Sequence, residues 1–408
     1  MTKIASHKWE FKARFRRHAL GWRSQPAIQR VKQAVAEVKK VAKKEPAVAA
    51  EGAIAFLERV SPALDHVDSS SGAIGSAVNW AIAELVQIIA VAPADAATRD
   101  AWLERLWDAY QDDEIPYIES LGDHWGELCV SKELASKWAD QLMGTVKMAW
   151  SPDPQLRGFF KGTTNCLSAL LAAERYDELE ALVETAPQHK MWHYRQYAVK
   201  ALAAMGKNSE AIRYAESERG INDSPIAIAR VCGEILLSSG LVDEAYRRYA
   251  IEANQGTSNL STLRAVTKKY PGKDPADIIN DLVASTPGEE GKWFAAAKDA
   301  GYLDVALQLA SRTPCDPRTL TRAARDFAES NPQFAAGAGF AALNWLAQGY
   351  GYEVTSADVW AAYSQTMKVA ERAGKAAEMK DDIRKLASSY GSGGNFVAQV
   401  LHRELGLP

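Results

Sequence analysis

The feature that most constrains this chain is a glycine-to-alanine turn that recurs at a nearly constant spacing. Gly206-Lys-Asn-Ser-Glu-Ala211 and Gly240-Leu-Val-Asp-Glu-Ala245 share the form Gly-x-x-x-Glu-Ala and start 34 residues apart. Gly301-Tyr-Leu-Asp-Val-Ala306 keeps the glycine and the alanine, and the segments starting at Glu174 and Gly272 are weaker copies in register. Successive starts at 174, 206, 240, 272 and 301 are separated by 32, 34, 32 and 29 residues. A period in this range predicts helix–turn–helix units, each burying its apolar face on the next. The turn chemistry agrees: glycine ends one helix in the left-handed conformation. The acid then sits at the positive start of the following helix, and the small alanine lets the two helices approach closely.

The Gly-x-x-x-Glu-Ala element resembles the turn and second-helix start of the tetratricopeptide repeat, a family with a 34-residue period. The resemblance covers residues 160–310. The family's first-helix Trp/Leu/Gly/Tyr pattern is largely absent: Gly233 matches it, whereas Val199 takes the same place one repeat earlier. The closing proline is displaced to Pro225 in one unit and to Pro314 or Pro317 in another. What the resemblance implies is an all-α fold, an α-solenoid of stacked antiparallel helix pairs; no ligand-binding residue carries over from the family.

Helical periodicity extends to both sides of the repeats. Ile28, Val31, Val35 and Val38 form one apolar stripe, with Ser24 as the expected cap and Pro26 in the first turn. Further helices are expected around Ile54–Val60, Ala77–Ala92, Thr98–Gln111 and Lys132–Met148. Beyond residue 310 they continue at Arg318–Glu329, Phe334–Leu346, Ser356–Arg372, Lys375–Ser388 and Phe396–Leu405. Pro152 and Pro154 block helix continuation and suggest a boundary. The reading divides the chain into a basic arm and helix (1–45), a helical front (46–150), repeats (151–390), and a flexible glycine-rich tip with a capping helix (391–408).

Charge is distributed unevenly. Residues 1–45 hold 13 of the 48 Lys and Arg but only Glu10, Glu37 and Glu45 among the 51 acids, a net charge of +10, which leaves −13 for the remainder. The arm interleaves cations with aromatics: Lys8, Trp9, Lys12, Arg14, Phe15, Arg16, Arg17, Trp22 and Arg23, followed by Lys39, Lys40, Lys43 and Lys44 on the helix. Three readings compete. Cations neutralise phosphates while aromatics stack on bases, which suits nucleic acid. Alternatively, Trp9, Phe11, Phe15 and Trp22 pack the arm onto the body and leave the cations solvated. An anionic membrane surface is the third, and the arm lacks a clean apolar face for it.

Catalytic and cofactor signals are sparse. His189 and His193 stand four apart, a spacing that puts two imidazoles on one helix face, and His124 lies among Asp123, Glu127 and Cys129. No carboxylate at a helpful spacing completes the first group and the second lacks any established spacing, so no cofactor is expected. Ser69–Gly75 precedes a helix but lacks the Gly-Lys-Ser/Thr of a phosphate-binding loop. No nucleophile elbow or His-Asp-Ser arrangement stands out, and an enzyme would need a site assembled from distant helices. The four dispersed cysteines contain no Cys-x-x-Cys pair, which together with the polar start of the chain points to the cytoplasm. The apolar stretch Ala81–Val91, broken by Glu84 and Gln87, reads as a buried helix too short to span a membrane. The expectation is a non-catalytic interaction protein that binds another polypeptide along its helical surface, with nucleic-acid binding through residues 1–45 as the alternative.

Overall fold

The computed structural model describes residues 7–17, 19–185, 191–217, 223–389 and 395–407. Every α-helix and 3-10 turn among them belongs to an all-helical fold, and no strand occurs there. The chain divides into two compact units, Met1–Ile235 and Leu236–Pro408.

The first unit opens with α1 (Phe11–Arg14), α2 (Ser24–Ala42), α3 (Pro46–Leu64), α4 (Ala73–Val91) and α5 (Ala96–Gln111). A 3-10 turn (Glu119–His124) leads into α6 (Trp125–Cys129) and α7 (Lys132–Ala149). Then come α8 (Thr163–Ala172), α9 (Tyr176–Thr185), α10 (Trp192–Ala204) and α11 (Asn208–Glu216); α12 (Pro225–Ser238) contains the division between the units. Helix α2 packs on α3 and α4, and α3 on α5, through the predicted stripe: Ile28, Val31, Val35 and Val38 are all buried. The helix begins at Ser24 itself rather than after it, with Arg23 in extended backbone as the residue before. Across the proline-containing loop 150–162, α7 and α8 pack on one another.

One expectation is corrected here. Helix α4 starts at Ala73, four residues before the expected start, because the small residues Ala73, Gly75 and Ser76 join the helix after a left-handed Gly72. The resulting 19-residue helix is long and apolar enough to cross a membrane by length and composition. In this fold Ile74, Val78, Ile82, Leu85, Val86 and Ile89 are buried, and the helix packs on α2 and α3.

The second unit continues with α13 (Val242–Ala253), α14 (Asn259–Lys269), α15 (Pro275–Ala284), a 3-10 turn (Glu290–Trp293), α16 (Phe294–Asp299) and α17 (Leu303–Arg312). It ends with α18 (Pro317–Asp326), α19 (Pro332–Ala347), α20 (Ser356–Arg372), α21 (Ala376–Ser388) and α22 (Phe396–Leu405). Helix starts here reuse one device: Asp274, Asp316 and Asn331 accept a bond from the first turn, and a proline follows each. Within each unit, helices pack on their chain neighbour and on the next helix but one: α8 on α9 and α10, α14 on α15 and α16, α18 on α19 and α20. This is packing in neighbouring pairs, consistent with a helical repeat.

The predicted turns have the expected backbone. Gly206, Gly240 and Gly301 adopt φ of +79°, +77° and +91°, and Ala211, Ala245 and Ala306 are fully buried. Glu174 takes the left-handed conformation without being glycine. Gly272 does not; Asp274 and Pro275 begin α15 instead.

Candidate functional site

The arm is docked. Trp9, Phe11 and Phe15 are buried. The Trp9 indole fills the space above Gly52 of α3, where a methyl group would sit 2.6 Å or less from three ring carbons. Phe11 and Phe15 meet the Phe56 ring edge-on, with centroids 5.7 and 5.0 Å away. The Glu37 carboxylate of α2 accepts the backbone N–H of Glu10 at 2.7 Å and of Phe11 at 3.2 Å, so one of the few acids of this segment holds the arm's backbone. Arg14 donates to Gln33 at 3.1 Å and pairs with Glu10. Arg30 donates to the Ala19 carbonyl at 3.1 Å.

Docking sorts the candidate residues into two groups. Trp9 and Phe15 face the core and have no ring surface to offer a base. Lys8, Lys12, Arg14, Arg16, Arg17 and Arg23 are exposed, as are Lys39, Lys40, Lys43 and Lys44. Trp22 is 70% exposed and is the aromatic of this group left outside. Arg17 lies 3.7 Å from the Asp65 carboxylate and Lys39 pairs with Glu84. No carboxylate among the described residues pairs with Lys12, Arg16, Lys40, Lys43 or Lys44. A solvated basic face therefore lies over an apolar seam.

Of the two histidine groupings, the one around His124 lies wholly within the described residues. His124 Nδ1 lies 3.2 Å from Glu127, whose carboxylate also accepts the Gln87 amide. Asp123 accepts the Tyr197 hydroxyl at 2.7 Å. Cys129 is buried, and burial pushes its thiol up to about 12. His193 Nε2 lies 3.0 Å from the Thr164 hydroxyl; His189 falls outside the described residues, as do the glycine-rich tip at 390–394 and His18. Among the described residues, no three His, Cys, Asp or Glu side chains are placed to hold a metal.

The structure assembles two further features. Beneath α8 lies a buried polar junction. Tyr110 donates to the Lys161 carbonyl at 3.1 Å, and the Lys161 ammonium donates to the Asp113 carbonyl at 2.6 Å. The Asp113 carboxylate accepts the Ser61 hydroxyl and the Ile118 N–H. Burial, followed by Glu119 and Asp123, pushes the Tyr110 phenol above its ordinary value. Asn165 is fully buried beside Gly122 and Tyr110. These residues are far apart in sequence, and nothing local announces that they meet.

The second feature is the loop after α7. Met148, Leu156 and Phe159 are 56%, 57% and 80% exposed. The loop is nonetheless tied down: Gly158 N–H donates to Ala149 at 3.0 Å, Leu156 N–H to Asp153 at 3.1 Å, and Arg157 to the carbonyls of Ser151 and Pro152. Trp150 and Phe160 anchor its two ends in the core while Leu156 and Phe159 face solvent.

The fold and these surfaces define an all-helical protein built of neighbouring helix pairs. No family model, curated protein or solved structure matches the chain.

Proposed function

We propose that this is a non-catalytic interaction protein of the cytoplasm, whose helix pairs stack as a tetratricopeptide-like α-solenoid and which binds another polypeptide through the loop after α7. The observation that carries this reading is the fixed loop with Leu156 and Phe159 presented to solvent. Large apolar side chains on a pre-ordered backbone are the usual anchors of protein interfaces, and ordering them in advance removes part of the entropy cost of association. The test is quantitative affinity capture with the intact chain and with a Leu156→Ala/Phe159→Ala double variant. Both groups are solvated, so the variant should fold as the parent does. A polypeptide retained by the parent and lost by the variant supports the reading. Equal retention by both contradicts it.

The exposed cations without carboxylate partners favour a second reading, nucleic-acid binding through the basic face. With Trp9 and Phe15 buried, Trp22 is the exposed aromatic of the group, and that binding would rest chiefly on phosphate contacts and be steeply salt-dependent. Lys40→Gln/Lys43→Gln/Lys44→Gln, measured against a duplex at low and moderate salt, tests it. A shallower salt slope than the parent's supports it, and no duplex binding at low salt removes it.

A further inference from the structure

We infer that a cleft at the junction of the arm and α3 is a phosphate-binding site gripped by Arg16, Arg17 and Arg59. The cleft has a volume of about 380 Å³ and is lined by Phe15, Arg16, Arg17, Glu58, Arg59 and Pro62. Three arginines, two on the arm and one on α3, line the same open groove, and all three are exposed. Like charges brought together in this way call for a counter-anion. The protein supplies one only in part: Glu58 lines the groove but shares its carboxylate with Arg105, which donates Nε at 2.7 Å and Nη2 at 3.0 Å. Asp65 approaches Arg17 at 3.7 Å, longer than a charge-assisted hydrogen bond. Neither Arg16 nor Arg59 pairs with a carboxylate among the described residues.

The ring of Phe15, locked edge-on against Phe56, fixes the backbone from which Arg16 and Arg17 project, while Arg59 projects from the rigid helix α3. The backbone positions of the three arginines are thus set before any ligand arrives, while their side chains stay solvated. The guanidinium fork matches a tetrahedral oxyanion with two parallel N–H donors per residue, and three such residues offer more donors than one carboxylate can use. The adjoining cleft shares Arg17 and Glu58 and adds Asp65, Asp112 and Glu114, so Arg17 stands between an acidic and a basic space. Sequence reading finds Arg16 and Arg17 but not Arg59, which sits inside a helix read only for its apolar residues.

A phosphate group can reach this site on a phosphorylated small molecule or on a nucleic-acid backbone, and the inference does not depend on the polypeptide reading of the α7 loop. The experiment is calorimetric titration of the full chain with inorganic phosphate, a nucleoside monophosphate and a short DNA duplex, each against chloride at equal ionic strength. Each titration is repeated with Arg59→Gln, a variant that leaves the arm's own contacts untouched; its circular dichroism should match the parent's. Loss of one charge-assisted pair should weaken binding by about tenfold or more. Binding of phosphate or the monophosphate, weakened in Arg59→Gln, supports the site and marks a small-molecule source. Binding confined to the duplex and weakened in Arg59→Gln supports the site and marks a backbone source. Binding of any of the three that Arg59→Gln leaves unchanged overturns the assignment, as does the absence of binding to all three.

Discussion

Gly52→Ala should reveal whether the arm is docked, because the two alternatives predict opposite signs. Gly52 lies in the interior of α3, where replacing glycine by alanine ordinarily stabilises a helix by about 1 kcal/mol. Here the new methyl would overlap the Trp9 indole, which is 6% exposed and boxed in by His7 and Phe11 with ring centroids 4.4 and 5.4 Å away. Three of its ring carbons occupy the site of the new methyl, so the ring is driven from its slot. Truncating a buried tryptophan costs about 3–5 kcal/mol, and offsetting this by the helix gain leaves a net loss of about 2–4 kcal/mol. In a Trp9→Ala background the slot is empty, and Gly52→Ala should then stabilise by about 1 kcal/mol. The assay is urea denaturation of the four chains of this cycle. Peptide-resolved hydrogen exchange over residues 8–17 shows whether the loss arises in the arm. Gly52→Ala raising the midpoint of the otherwise unaltered chain, with exchange over 8–17 unchanged, would refute the docking.

Three further outcomes follow from particular contacts. Gly206→Ala and Gly240→Ala meet no neighbouring atom, so each should cost only the left-handed backbone penalty, about 1 kcal/mol, measurable as a lower denaturation midpoint. Asp223→Ala removes the carboxylate 3.3 Å from the buried Arg195 guanidinium, which also donates to the Ala215 carbonyl, and should destabilise the first unit by about 3–5 kcal/mol, read by hydrogen exchange over α10. Asp358 accepts from Arg318 and from Thr355, which hold its carboxyl well below the usual carboxylate range. A depressed folded-state value stabilises the fold above the unfolded value, near 4, and that contribution fades as pH falls through the folded value. Asp358→Asn should therefore lower stability at neutral pH and flatten its decline in acid.

Local chemistry was legible in the sequence and assembly was not. The turns at Gly206, Gly240 and Gly301 could be read because one residue type, one backbone conformation and one spacing coincide. Gly374-Lys-Ala-Ala-Glu-Met379 carries a left-handed glycine and an acid at the same positions, and escaped notice because methionine replaces the alanine and its spacing from Gly301 spans two units. Gly272 misled for the opposite reason: an Asp-Pro helix start three residues on made a left-handed turn unnecessary. In the arm, alternating cations and aromatics matched both a nucleic-acid contact and a docked segment. The deciding partners, Gly52 and Phe56, lie about 40 residues away in a helix whose sequence shows only general apolarity. Burial of α2 also makes removal of residues 1–45 a poor probe of the basic face. Val31, Ala34, Val35 and Val38 are core residues, so charge-neutralising substitutions are the sounder instrument. The α7 loop reads in sequence only as a proline-containing break, since nothing local says that Phe159 faces water while its neighbour Phe160 packs on the core.

The most direct measurement of the interaction reading is peptide-resolved hydrogen exchange of the intact chain, alone and bound to the polypeptide recovered by capture. New protection confined to residues 148–160 and their immediate packing neighbours is the predicted result. A bound complex that leaves this loop exchanging as it does in the free protein would contradict the account.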